Sequence, residues 1–172
     1  MILPFLIIKE SFTVSNTSDI YQKFNETYAI YNNSELRFNI KYPLFWEISE
    51  IETINQVIFC PPHNNNNEVS NYCFQIQLYP NLNRTLYEWV KGDMIYYKNF
   101  QIYDKYRLSN SIINGYPSYT LITSKDNMKY LFIYFYQNDV IYIISFDAET
   151  EIFTNSLPLI YQMVNSLRIQ KN

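Results

Sequence analysis

The chain has 172 residues, of which 48% are hydrophobic, and a formal net charge of -3. This length fits one domain with a continuous core. Only 17% of the residues are charged and no basic stripe is present, so a nucleic-acid partner is not expected. The chain contains 18 Tyr and 12 Phe but only 2 Gly. That composition has two explanations, a stacking surface for a ligand or the amino-acid bias of AT-rich coding, and tyrosines also pack readily in strands.

The chain begins with an apolar run that ends at Ile8, followed by a polar arm to residue 25. The run is too short to span a bilayer. It also lacks the positively charged start and the small-residue cleavage site of a secretory signal. Two alternatives remain, a remnant of a signal peptide and a short strand that joins a sheet. The sequence therefore predicts an N-terminal arm over residues 1–25 and one domain over residues 26–170.

The first predicted hairpin has strands at residues 27–31 and 36–42, with Asn32, Asn33 and Ser34 in its turn. Pro43 ends the second strand, since proline cannot donate to the ladder of a sheet. Another strand is predicted to begin at residues 46–48.

Two cysteines lie in a second predicted hairpin. Residues 56–60 and 72–79 are rich in β-branched and aromatic residues, and the segment between them has the composition of a loop. Antiparallel pairing would place Cys60 and Cys73 at the mouth of this loop, at the Cα separation that a disulfide needs. The alternative is two buried free thiols. A disulfide would indicate an oxidising compartment, and hence an extracytoplasmic protein.

A helix is predicted from Thr85 to about Lys98. Thr85 and Glu88 have the spacing of a capping box. Apolar side chains then fall on one helical face, at Leu86, Trp89, Val90, Met94 and Tyr97.

The second half of the chain predicts strands at residues 100–113, 116–123, 129–137 and 140–146. Asn138 and Asp139 form a two-residue turn, which requires antiparallel pairing. The last two strands are apolar on both faces, so both faces must be covered. The covers are the first helix and a closing helix with Pro158 in its first turn; the apolar stripe of that helix is Leu159, Ile160, Met163, Val164 and Leu167. The sequence thus predicts an α+β fold, a three-layer α/β/α sandwich with a central antiparallel sheet.

No residue pattern indicates a catalytic or cofactor site. His63 is the only histidine and lies beside Asn64, Asn65, Asn66 and Asn67, in a loop without the rigid surroundings that catalysis needs. We therefore interpret residues 63–67 as a solvated loop and as a candidate partner-binding tip.

Three acidic residues, Asp147, Glu149 and Glu151, follow the last predicted strand. They are weak candidates for binding a hard cation such as calcium. The alternative, which we favour, is that they place negative charge near the N-terminus of the closing helix.

Several segments resemble PsbP-like domains, the family named for an extrinsic subunit of the photosystem oxygen-evolving complex. The segment LRFNIKYPLFW, from Leu36 to Trp46, is similar to the opening motif of the family, and Leu86 to Trp89 resembles its central helix. The Tyr-Pro-Ser-Tyr strand at residues 116–119, the strand YIISF at residues 142–146 and the segment MVNSL at residues 163–167 resemble its later strands and closing helix. The pattern is closest to extracytoplasmic PsbP-like proteins of archaea.

The resemblance covers residues 27–169 and is mostly structural. PsbP helps to retain ions at a membrane complex, and relatives include envelope lipoproteins and a nuclear Ran-binding protein, so the family has no common active site to transfer. The chain departs from the pattern in its cysteine hairpin and in the residues around Glu35, where the family has a glycine. The resemblance implies a non-enzymatic domain that binds or stabilises a membrane-associated protein complex without a cofactor. The alternative is a carrier that holds a small apolar or sugar-like ligand in a Tyr-lined cleft between the sheet and a helix.

Overall fold

The computed structural model describes residues 8–9, 27–62, 72–81, 83–99 and 105–170. A small antiparallel sheet has the strand order β1-β2-β3-β11. Its strands are β1 (Ile8–Lys9), β2 (Thr27–Asn33), β3 (Phe38–Pro43) and β11 (Arg168–Ile169). The two ends of the described chain therefore meet in one sheet. The first predicted hairpin is confirmed as β2 and β3, which are paired antiparallel. Asn32 and Asn33, however, are paired residues of β2, so their predicted place in the turn was wrong and the turn begins at Ser34.

A larger antiparallel sheet has seven strands in the order β4-β5-β6-β10-β9-β8-β7. The strands are β4 (Glu47–Ile51), β5 (Gln56–Cys60), β6 (Cys73–Pro80), β7 (Lys105–Ile113), β8 (Tyr116–Lys125), β9 (Met128–Gln137) and β10 (Val140–Glu149). A short 3-10 helix (Glu52–Ile54) connects β4 to β5. The predicted Asn138-Asp139 turn joins β9 to β10, with φ angles of 53° and 60° in the left-handed region that such tight turns require.

Helix α1 (Leu86–Asn99) begins at the predicted capping box. The Thr85 backbone N–H donates to Glu88 Oε2 over 2.8 Å, and the Glu88 backbone N–H donates to Thr85 Oγ1 over 3.2 Å. These reciprocal bonds satisfy backbone donors that the first helical turn leaves free, so this predicted helix is confirmed at its N-terminus.

The main core lies between the small sheet, helix α2 (Thr150–Ser166) and one face of the large sheet. Fully buried members include Phe38 of β3, Phe59 of β5, Ile144 of β10 and Ile160 of α2. A second, smaller cluster joins Val90 of α1 to residues of β8 and β9.

Successive residues of β9 alternate between the two clusters. Ile133 and Phe135 belong to the main core, whereas Tyr134 belongs to the cluster with Val90. Because neighbouring side chains of a strand point to opposite faces, α1 and α2 lie against opposite faces of the large sheet. Both faces of the last two long strands are therefore covered, as their apolar sequences predicted. The small sheet lies on the same side of the large sheet as α2 and helps to cover that face. The sequence did not predict this second cover.

The predicted start of the closing helix was wrong. Strand β10 continues to Glu149, and α2 begins at Thr150, so Pro158 lies inside the helix and not in its first turn. The exposed ring of Pro158 is on the outer side of the helix, while Phe153, in a turn that the sequence left unassigned, is buried in the main core. The burial of Phe153 in this additional turn offsets the loss of the backbone hydrogen bond that Pro158 cannot donate.

Candidate functional site

Cys60 and Cys73 form a disulfide between β5 and β6, so the predicted bond is confirmed. Phe59 and Phe74 are opposed in the ladder, and the two cysteines are the next opposed positions, with a Cα separation of 4.5 Å. The disulfide therefore closes the hairpin where its loop begins. The candidate partner-binding residues His63 and Asn64 to Asn67 lie outside the described residues.

The three acidic candidates are divided between a strand and a helix. Asp147 and Glu149 are in β10, which corrects their predicted position after the strand, and Glu151 lies in the first turn of α2. Burial raises the pKa of Asp147, whereas Glu149 is exposed and accepts a hydrogen bond from Asn127. No group of three His, Cys, Asp or Glu residues in the described part of the chain could hold a metal ion. Glu149 and Glu151 place negative charge at the N-terminus of α2, where the helix dipole favours it.

A groove of about 390 Å³ lies between the small sheet and the C-terminal half of α2. Seven of the nine residues that line it carry a polar group in the side chain, and Tyr28 is the single tyrosine among the described residues that line it. The remaining lining residues are Ile30, Asn39, Lys41, Gln162, Met163, Asn165, Ser166 and Arg168.

Hydrogen bonds across the groove hold α2 to the small sheet. The Tyr28 hydroxyl donates to Gln162 Oε1 over 3.0 Å, and the Lys41 backbone N–H donates to Ser166 Oγ over 2.9 Å. Arg168 donates through Nη1 to the Asn165 and Leu167 carbonyls at the end of the helix. These contacts give the groove a structural role in closing the fold.

A carboxylate lies in the sheet-facing stripe of α1. Asp93 is half-buried, and burial raises its pKa, while the neighbouring Tyr134 hydroxyl offsets part of that rise. Burial raises the pKa of Tyr79 and brings the pKa of Tyr97 to about 12, and the nearby Asp93 charge contributes to both rises. We name Asp93, Tyr79, Tyr97 and Tyr134 the Asp93 cluster.

The sequence interpretation missed the Asp93 cluster. Asp93 is four residues after Trp89 and four before Tyr97, so helical spacing alone places it on the same face as both. Nε1 of Trp89 is buried beside the Tyr79 ring, at a ring-centroid distance of 5.6 Å, and has no hydrogen-bond partner within the described ranges. The cluster contains no His, Cys, Lys or Arg, and its titratable groups are one carboxylate and three tyrosine hydroxyls. The raised pKa of Asp93 predicts that the docking of α1 depends on the protonation of this carboxyl group.

Large apolar side chains are exposed on the α1 side of the large sheet. We name Tyr87, Ile95, Tyr96, Tyr106 and Ile112 the aromatic face; their exposed fractions run from 50% to 75%. The Tyr87 ring contacts Tyr119 of β8 at a centroid distance of 5.9 Å, and Tyr119 is opposed to Asn110 of β7. This contact joins α1 to β8, the strand that pairs with β7. Exposed apolar surface of this kind is typical of interaction sites.

No helix in the part of the chain that the structure describes is long and apolar enough to cross a membrane.

Comparison with known proteins relates the chain to solved structures only. No protein-family model matches the sequence. No curated protein matches it significantly either.

Solved structures with a similar fold come from a cyanobacterium, a yeast and a bacterium. PsbP (CyanoP) from Synechocystis superposes with a TM-score of 0.62 at 10% identity, covering 91% of this chain and 98% of its own. The Ran-binding protein Mog1p from Saccharomyces cerevisiae gives 0.56 at 9% identity, covering 84% and 96%. The protein PA94 from Pseudomonas aeruginosa, of unknown function, gives 0.53 at 12% identity, covering 84% and 99%.

These matches extend over most of each chain, but their sequence identities are low, so they establish the fold and not an activity. The resemblance of the residue pattern to extracytoplasmic PsbP-like proteins of archaea stays a prediction. The chain has the α+β, PsbP-like fold that the sequence motifs indicated.

Proposed function

We propose that the protein is a non-enzymatic, extracytoplasmic domain that binds or stabilises a membrane-associated protein complex through the aromatic face. The observation that carries this proposal is the exposure of Tyr87, Ile95 and Tyr96 on one helix, together with the exposed Tyr106 of β7 on the same side of the large sheet. Tyrosine is enriched at protein interfaces because its ring offers a large apolar area and its hydroxyl a polar contact. A protein surface of matching aromatic and aliphatic character is the expected partner.

Two further observations support parts of the proposal. Mog1p, which shares the fold, is a Ran-binding protein, so this scaffold supports protein recognition in at least one other chain. The Cys60–Cys73 disulfide is of a kind that persists in oxidising compartments and is rare in the cytosol, which supports an extracytoplasmic location.

The same proposal includes the layer arrangement and the domain boundaries. We assign α1, the large sheet and the α2 side to the three layers of an α/β/α sandwich, and residues 26–170 to one domain that follows an N-terminal arm. The continuous main core, which includes residues from β2 to β11, supports a single folding unit.

The carrier alternative has weaker support. A carrier of a small apolar or sugar-like ligand requires a concave, mostly apolar pocket with a few polar groups. Polar side chains supply seven of the nine residues that line the groove beside α2, Tyr28 is its single described tyrosine, and several of these polar groups bond across the groove and close the fold.

Affinity capture from membranes of the native organism tests the proposed surface. The double variant Y87S/I95S should lose the partner that the wild-type domain captures, while it stays folded with only a small drop in melting temperature, because both side chains are already half-exposed. The matched control is F45S, which removes an exposed aromatic ring from the β3–β4 connection. Capture that is equal for wild type and Y87S/I95S would overturn the proposed surface.

A further inference from the structure

Strand β7 is an edge of the large sheet. It pairs with β8 on one side, and no other strand in the described ranges pairs with its second side. Six of its nine residues are exposed, and the two most exposed apolar ones are Tyr106 at 60% and Ile112 at 75%. An open edge presents unpaired N–H and C=O groups, which are a template for another strand.

The turn that joins β7 to β8 determines which backbone groups point outward. Ile113 is opposed to Tyr116 across the two-residue turn Asn114-Gly115, whose φ angles are 54° and 85°. In such a turn the flanking pair exchanges both hydrogen bonds, and the hydrogen-bonded residues then alternate along the ladder. Odd-numbered residues of β7 therefore bond to β8. The backbone groups of Tyr106, Leu108, Asn110 and Ile112 point to the open edge.

These four outward residues are self-complementary in one antiparallel register. If two copies of β7 pair about a two-fold axis at Ser109, Tyr106 of each copy is opposed to Ile112 of the other, and Leu108 to Asn110. Every outward N–H and C=O of the four residues then has a partner. The two most exposed apolar side chains also become cross-strand pairs of an aromatic and a β-branched residue, a combination that stabilises sheets.

The charges of β7 favour the same register. Lys105 and Arg107 lie at one end of the strand, and charges of this kind commonly protect edges. In the antiparallel register Arg107 is opposed to Ser111 and Lys105 to Ile113 of the other copy, so like charges are kept apart. A parallel arrangement would bring Lys105 and Arg107 of one copy close to the same residues of the other copy. Such contacts between like charges are unfavourable.

We propose that β7 is the interface of a homodimer, in which two copies pair edge to edge about Ser109 to form one continuous antiparallel sheet. The two-fold axis is perpendicular to the sheet, so the aromatic faces of both copies lie on the same side and form one larger surface. This inference goes beyond the proposed function and does not depend on the identity of any partner.

Sedimentation of the full chain over a range of concentrations tests the dimer. Wild type is expected to sediment as a concentration-dependent dimer. Asn110→Pro removes an N–H group that points to the open edge and leaves the bonds to β8 intact, so the variant should be monomeric with a nearly unchanged melting temperature. Wild type that stays monomeric at the highest concentrations, or an N110P protein that still dimerises, would overturn the proposal.

Cysteine cross-linking tests the register separately and covers the case in which N110P fails to fold. In the proposed register, Ser109 of one copy is opposed to Ser109 of the other in a non-hydrogen-bonded pair. The Cα separation of such a pair, about 4.5 Å, suits a disulfide. Mild oxidation should therefore cross-link S109C into a covalent dimer. S111C, the matched control on the same face of the strand, should stay monomeric on denaturing gels. Cross-linking of S111C without S109C, or of neither variant, would contradict the proposed register.

Discussion

Cys60 and Cys73 occupy opposed positions one step beyond the Phe59–Phe74 pair, at the end of the β5–β6 ladder. The Phe59 and Phe74 rings pack edge to face at a centroid distance of 5.9 Å in the main core. The disulfide thus closes a hairpin that core packing already holds in register.

Removing the disulfide should lower stability without changing the fold. The bond spans 13 residues, and closing a loop of this length stabilises a protein by about 2–4 kcal/mol, mainly by restricting the unfolded chain. We expect C60S/C73S to lose that amount in urea denaturation. Wild type treated with a reductant is the control and should shift in the same direction. An unchanged free energy of unfolding would show that the loop is restrained by other means.

The two faces of β10 should respond differently to truncation. Ile144 is fully buried in the main core, whereas Ile143 is half-buried beside the cluster under α1. I144A should cost about 2–5 kcal/mol, the range for fully buried large-to-small changes. I143A should cost clearly less, because its side chain already has partial access to water. Thermal and urea denaturation measure both values, and equal losses would contradict the difference in burial.

The stability of the α1 side should depend on pH through Asp93. Because burial raises the pKa of Asp93, the folded protein binds this proton more tightly than the unfolded chain does. The contribution of Asp93 is therefore fully present below its unfolded pKa and is lost as the pH rises through the folded pKa. We expect D93N, which stays neutral, to melt at a higher temperature than wild type at pH 7.

The difference between D93N and wild type should shrink as the pH falls toward 4. The matched control D126N changes an exposed aspartate in the β8–β9 turn and should not reproduce this pH-dependent difference. A melting-temperature difference that is constant between pH 4 and pH 8 would show that the charge of Asp93 is not the cause.

The loop between β5 and β6 provides a separate test of where a partner binds. H63A and deletion of Asn64 to Asn67 should leave the melting temperature unchanged, since the disulfide closes the hairpin before the loop begins. Both variants should also retain the captured partner if the aromatic face is the binding surface. Loss of the partner at an unchanged melting temperature would instead assign binding to residues 63–67.

Local signals in the sequence predicted most elements correctly. The capping box at Thr85 and Glu88 located the start of α1, and the Asn138-Asp139 turn located the β9–β10 hairpin. Such features depend on neighbouring residues only. The same holds for the disulfide, because a hairpin register brings its two cysteines together.

Features that depend on distant contacts were missed or displaced. The small sheet pairs Arg168 and Ile169 with β3, more than a hundred residues earlier, and a two-residue strand has no periodicity of its own. The start of α2 was misplaced because Pro158 is a strong signal for a first turn, and only the burial of Phe153 reveals the earlier turns. Asp93 was overlooked because a single acidic residue does not interrupt an apolar stripe, although its spacing from Trp89 and Tyr97 was visible.

Site-specific photo-cross-linking in native membranes tests the central claim most directly. A photoreactive residue at position 87 or 95, within the aromatic face, should cross-link to one and the same membrane-associated protein. A photoreactive residue at position 45, which is also exposed but lies outside this face, should not. Cross-links to that protein from position 45, with none from positions 87 and 95, would contradict the proposal that the aromatic face binds a membrane-associated complex.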